Sequence, residues 1–197
     1  MNWKKYGLSA LHQKYEIHDF KHAAAILAFE FPTEFAEICR ALMKFKLDIT
    51  DITEKGGNES KIPKKFSSIL RPLGWKQVKL TAKLVVDSDK VVSHDTHKVD
   101  YVKGRVAFDL EWNSKDQTFD RDLYALRAFF DYDKISAGII VTRSDELDGL
   151  FEKLGGDIEN KYGASTTHMS KLIPRLEAGR NGGCPVLVFG ITSRLLS

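Results

Sequence analysis

The spacing of apolar residues changes character near Gly74. Before that point they recur at helical intervals. His18–Phe31 carries Phe20, Ala24, Ile26, Leu27 and Phe31 behind Asp19, a residue suited to N-capping, and predicts a helix. Pro32-Thr33 opens a second helix to about Lys46, with Phe35, Ile38, Leu42 and Phe45 on one side. Gly56-Gly57-Asn58 signals a turn. Pro63 then begins a short helix with Phe66, Ile69 and Leu70 that ends near Pro72 and Gly74.

Beyond Gly74 the period drops to two. Val78, Leu80, Ala82 and Leu84 alternate with polar residues through Trp75–Val86, the pattern of a half-buried strand. His97–Val102 and Arg105–Trp112 predict two more strands about a Lys103-Gly104 turn. A helix is expected over Phe119–Tyr132, with Leu123, Leu126, Phe129 and Phe130 inward. Ser136–Thr142 is continuously apolar, as strands buried on both faces are. Helices over Asp145–Leu154 and Ser165–Ala178 and a strand over Pro185–Ile191 complete the chain. The resulting class is α/β, a mixed central sheet flanked by helices with an α-β-β-β-α-β core. A single domain over residues 1–197 is expected, with a helical N-terminal part (1–55) and a core (56–197).

Composition changes this picture little. At 43% apolar and 29% charged residues the chain is of ordinary globular type. Met1–Gln13 lacks the apolar stretch of a signal peptide, and Ala23–Phe29 is too short to span a bilayer, so a cytoplasmic protein is expected. Cys39 and Cys184 lie far apart and read as small buried hydrophobes. The net charge of +3 permits a nucleic-acid partner without selecting one; the basic residues gather in part, in Lys61–Lys65, in Lys76–Lys83 and in Arg175, Arg180 and Arg194. His94-x-x-His97 has no third ligand beside it and reads as polar loop.

The segment Val99–Asn113 carries the candidate chemistry. A Lys103-Gly104 turn pairs Val102 with Arg105, Tyr101 with Val106 and Asp100 with Ala107. Asp100, Ala107, Asp109, Glu111 and Asn113 then share one face, while Val106, Phe108, Leu110 and Trp112 share the other. Asp100 and Asp109 become diagonal neighbours, roughly 7 Å apart. Three like charges so placed raise at least one pKa or require a cation. Oxygen ligands of this kind suit Mg²⁺, with the Leu110 carbonyl as a further contact. The same spacing also describes a solvated face balanced by Lys98, Lys103 and Arg105.

Asp-x8-Asp-x-Glu with a helix behind it resembles the core of the PD-(D/E)XK nucleases. Asp100, Asp109 and Glu111 have the spacing of the BglII/BstYI group of type II restriction endonucleases. GGNESKIPKKF (Gly56–Phe66), LGW (Leu73–Trp75), EWNSKDQTFDRDL (Glu111–Leu123), ISAGIIVTR (Ile135–Arg143), YGASTTHMSKL (Tyr162–Leu172) and GGCPVLVFGI (Gly182–Ile191) are similar to that group as well. The resemblance implies Mg²⁺-dependent cleavage of double-stranded DNA at a palindrome containing GATC, a 5′ overhang, a homodimer, and a cognate DNA methyltransferase as genetic partner. Asp109 departs from the group's usual Glu. Glu111 stands where the superfamily has Lys and the namesake enzyme Gln, so a role in positioning or deprotonating water, or a second metal contact, is expected of it. Lys115 could supply the missing cation, but it falls past the strand end. Glu59 stands where the superfamily sometimes adds an acid; a helix-dipole partner is the other reading. A nuclease of this core without a fixed palindrome, and a DNA-binding module with an inactive site, remain alternatives.

Ser165, Thr166, Thr167 and His168 are expected at a helix start, where hydroxyls and free amides suit phosphate or base edges as well as ordinary capping. Asn58, Ser60 and Lys61 beside a helix start suit the same contacts. Arg143, ending a buried strand, could meet a phosphate or guanine, or pair with Asp145 or Glu146. Asp120, Arg121 and Asp122 open a helix, where acids serve the dipole.

Overall fold

The computed structural model describes residues 3–54, 61–86 and 90–197. In chain order the elements are α1 (Ser9–His12), β1 (Tyr15–Phe20), α2 (Ala23–Glu30), α3 (Pro32–Lys44), α4 (Ile49–Thr53), α5 (Lys61–Leu70), β2 (Lys76–Val86), β3 (Lys90–Lys103), β4 (Val106–Glu111), α6 (Thr118–Asp131), β5 (Ala137–Arg143), α7 (Asp148–Leu154), α8 (Gly156–Lys161), α9 (Met169–Glu177) and β6 (Val186–Ile191). Among the described residues one mixed sheet runs in the order β1-β6-β5-β4-β3-β2. β4, β5 and β6 are mutually parallel, and the other neighbours are antiparallel.

The inner strands β4, β5 and β6 are buried on both faces. Val106, Phe108, Leu110, Ile139, Val141, Leu187 and Phe189 face a core shared with Phe35, Ile38, Leu42, Ile62 and Phe66 of α3 and α5. Ala107, Ile140, Val186 and Val188 face the opposite way, toward Phe119, Leu123, Leu126 and Phe129 of α6 and Leu172 of α9. Each fully buried apolar side chain of this size contributes about 1.5–3 kcal/mol, enough for the sheet to tolerate polar groups on its inner strands. Cys39 and Cys184 are free thiols, each pushed up to about 12 by burial.

The elements α3, α5, α6, β2, β5 and β6 follow the predicted periodicities, with Pro32 in the first turn of α3. Four expectations are corrected. The helix expected over His18–Phe31 begins only at Ala23, because pairing with β6 draws Tyr15–Phe20 into an edge strand. Lys21 and His22 turn the chain at φ 54 and 60, and Asp19 accepts a hydrogen bond from the Ala24 amide at 3.0 Å. Second, the helix expected from Ser165 begins at Met169, since residues 165–168 are held beside the chain that leaves β4: the Thr167 amide donates to the Ser114 carbonyl and Asp116 to that of Ser165. Third, His94 and His97 belong to β3 rather than a loop.

The fourth correction concerns the hairpin. Val102 lies opposite Ala107 and Tyr101 opposite Phe108. The turn residues are therefore Gly104 and Arg105, one position later than predicted. Gly104 adopts φ 53, which glycine enters without steric cost and which suits the first position of a tight hairpin turn. Partners shift by two residues, and a two-residue shift preserves the face. Asp100 is thereby brought across from Asp109 instead of diagonal to it. Between Lys76↔Val102 and Val78↔Val99 the register of β2 and β3 slips, so Asp100 and Tyr101 stand against Gln77 alone. That two-against-one step is a β-bulge, a device that re-aims side chains. Among the described residues no helix is long and apolar enough to cross a membrane.

Candidate active site

The acids of β4 lie beneath α6 at the middle of the sheet. Asp109 is 3% exposed and Glu111 9%, so they coat no solvent-facing surface. At Asp100 the backbone ladder gives way to a side chain: the Asp100 amide donates to Asp109 Oδ1 at 2.9 Å. Gln77 Nε2 donates weakly to Asp100 Oδ1 at 3.5 Å, from across the bulge. Glu111 is hydrogen-bonded to the Ser114 side chain and to Asp122.

Asp122 is the residue that sequence reasoning missed. It is 3% exposed, on the buried face of α6, and it joins the strand acids as a fourth carboxylate. The signal was present: Phe119, Asp122, Leu126 and Phe129 fall at the spacing of one inward stripe, and a charged residue on an apolar stripe is informative. Reading Asp120 and Asp122 alike as dipole partners concealed it. The two differ, since Asp120 lies at the surface and pairs with Arg175 and Arg180.

Burial drives the electrostatics. It raises the Asp100 carboxyl above its ordinary range. Burial first, and the Asp100 charge second, push Asp109 well above that range. Glu111 is also raised, by burial. Asp122 is pushed up to about 10 by burial and by the charges of Asp109 and Glu111, so it holds its proton at neutral pH and donates it to Glu111. Arg121 sits at the rim, its Nε 3.7 Å from Asp122 Oδ1 and its side chain about half exposed. His97 lies nearby, with proton affinity lowered by burial and by Arg121.

Among the described residues the other candidate side chains do not gather at the acids. Arg143 is 1% exposed and follows Thr142, the partner of Glu111, so it projects to the opposite face. Its guanidinium donates to Asp148 Oδ1 (3.0 Å), to the Tyr162 carbonyl (2.7 Å) and to Thr166 Oγ1 (2.8 Å), and it lies over the Phe151 and Tyr162 rings. Its partner is Asp148 rather than Asp145 or Glu146. Thr167 Oγ1 accepts from the Ser114 amide at 3.2 Å. His168 Nδ1 meets Asp145, while its Nε2 is buried without a partner. Ser165 is exposed, and Lys61 is exposed and pairs with Glu54. Lys115 is exposed beyond the end of β4. Leu110 turns its side chain to the opposite core. Asn58, Glu59 and Ser60 lie outside the described residues.

The donor chemistry around the cluster fits a hard divalent cation. Asp109 Oδ2, Asp122 Oδ2, Asn113 Oδ1 and Thr142 Oγ1 are buried oxygens without hydrogen-bond partners, and Thr142 is registered with Glu111 across β4 and β5. Oxygen donors set among carboxylates are what Mg²⁺ accepts. Among the described residues no three His, Cys, Asp or Glu side chains are already drawn into a metal-holding group, so the fit is one of donor type.

A family model described as restriction endonuclease BglII/BglIII matches residues 15–191, from the start of β1 to the end of β6. No curated protein matches the chain.

Proposed function

The chain belongs to the BglII/BglIII restriction endonuclease family, and from that premise we propose a type II enzyme that uses Mg²⁺ to cut both strands of a palindromic DNA site. One observation carries the reading: Asp100, Asp109 and Glu111 of the strands, with protonated Asp122 of α6 beside them, share a largely buried patch where the like charges of the strand acids call for a cation. Asp100 and Asp109 are its proposed ligands, with the Leu110 carbonyl and Glu111 as further contacts. When bound, Mg²⁺ polarises the phosphoryl oxygen and lowers the pKa of the attacking water.

The chain's own groups do the rest. The Asp100 amide holds one Asp109 oxygen in place and leaves the other for the ion. Protonated Asp122 donates to Glu111 and fixes that carboxylate at the end of β4. Glu111 accepts the proton of the attacking water; burial raises its proton affinity and makes it the stronger base. Ser165, Lys61, Asn58, Ser60 and His168 are proposed DNA contacts, whereas Arg143, Thr166 and Thr167 serve the protein's own framework.

A palindrome has two-fold symmetry, so a C2 homodimer with one cluster per strand is proposed. The family likeness favours a GATC-containing target, a 5′ overhang and a cognate methyltransferase. Digestion of mapped plasmid DNA with Mg²⁺ tests this. Discrete fragments whose ends share one sequence, abolished by EDTA, are expected. A smear would indicate a nuclease without a fixed site, and DNA binding without cleavage an inactive module.

A further inference from the structure

Beside the acid cluster an open groove of about 640 Å³ runs between β2, β3 and the first turns of α6, lined by Lys79, Thr96, His97, Lys98, Arg121 and Tyr124. Three of these side chains are permanent cations, which suits a polyanion. Arg121 is shared between the groove and the cluster. Its Nε lies 3.7 Å from Asp122 Oδ1, too far for a hydrogen bond. Its charge reaches Asp100, Asp109, Glu111 and Asp122 alike. Other cations are committed or placed elsewhere. Arg143 serves the opposite face, Arg175 and Arg180 are bound to Asp116 and Asp120, and Lys115 lies past the strand end.

We propose that Arg121 is a catalytic residue that grips the scissile phosphate from the groove side and supplies, from helix α6, the positive charge that Glu111 cannot supply from β4. This rests on the nuclease reading above. In the step concerned, the oxygen of a water bonds to phosphorus and its proton passes to Glu111. The P–O3′ bond breaks, and the leaving oxygen takes a proton from solvent to become a 3′-hydroxyl. Negative charge builds on the phosphoryl oxygens as this happens. A planar guanidinium presents paired N–H donors to two of them, which an ammonium on a strand could not match in geometry. Exposure of about half its side chain leaves Arg121 accessible to a docked strand.

Single-turnover cleavage of a duplex that the wild type cuts, at saturating enzyme with Mg²⁺, tests the assignment. Arg121→Gln is expected to slow cleavage about 100-fold, as loss of one preorganised charge donor does. Binding of the same duplex in Ca²⁺ should change less than about threefold, and Arg121→Lys should recover roughly tenfold of the rate. Thermal melting of both variants accompanies the assay. An Arg121→Gln protein that cuts at the wild-type rate overturns the assignment. So does a loss that saturating enzyme restores, which marks a binding residue, or one that tracks a lowered melting temperature and that Lys does not rescue, which marks a structural one. A wild type that binds DNA without cutting overturns the nuclease reading itself, and the assignment with it.

Discussion

Two buried charged sites flank the same end of the sheet, and they are built on opposite principles. On one face Arg143 is enclosed by Asp148, a carbonyl, a threonine hydroxyl and two aromatic rings. On the other, four acids crowd together beneath α6, two of them with a buried oxygen left without a partner. Elsewhere buried acids have cations: Glu37 receives Lys103 at 2.6 Å and the Trp75 indole, and Asp51 receives Lys65. A buried charge held by an opposite charge and several hydrogen bonds is structural, even where one atom, such as Arg143 Nε or Asp51 Oδ1, has no partner. A group of like charges left partly unpartnered costs stability and persists where chemistry requires it.

The strongest way to break this contrast is to neutralise an acid. Asp109→Asn should lower cleavage on the order of 10⁴-fold, while raising the stability of the metal-free protein because one buried like charge is gone. Plasmid cleavage and urea denaturation in EDTA check the two halves; a variant that is both inactive and less stable would make Asp109 a structural acid. Arg143→Ala should do the reverse, costing about 3 kcal/mol of stability through lost hydrogen bonds and packing. Its cleavage rate per folded molecule should stay unchanged, and a rate loss at full folding would return Arg143 to the site.

A third test is the pH dependence of the metal-free protein. The folded chain holds the Asp122 proton more tightly than the unfolded one, from the ordinary 3.8 up to about 10. Stability from this group is therefore full below the lower value and is lost as pH rises toward the upper one. Asp109 and Glu111 act in the same direction. Asp122→Asn should flatten the profile by up to about 1.4 kcal/mol per pH unit, measured by denaturation at several pH values in EDTA. An unchanged slope would mean that Asp122 is ionised in the fold. The smallest effect belongs to its neighbour. Asp120→Asn should cost less than about 1 kcal/mol, and that cost should vanish in roughly 1 M salt, since its pairing with Arg175 and Arg180 is at the surface.

The contrast also explains what was legible in the sequence. Period-two and apolar stretches revealed most strands, and the common face of Asp100, Asp109 and Glu111 survived an error in the turn because that error was even. β1 was hidden because its stretch also fits helical spacing, and only pairing with β6 decides between them. The burial of Arg143 and the inward direction of Asp122 were not legible from charge alone. Local sequence records charge but not what later packs against it: Asp122 is buried when its own helix, α6, packs on the sheet, while α7 and the end of α8 close over Arg143. The bulge was out of reach, since it exists only in the register between two strands.

That bulge divides the β2–β3 ribbon into two parts with separate tolerances. Toward the turn at Gly104, every residue is tied to the placement of Asp100 against Asp109. Toward Val86 and Lys90 the register has already slipped, at Lys76/Val78 and again at Lys79/Thr81. Insertions or deletions in that outer stretch can be absorbed without moving the acids. A part whose register has already slipped is thus joined to a part whose register sets the acids, and the joint is a single unmatched residue.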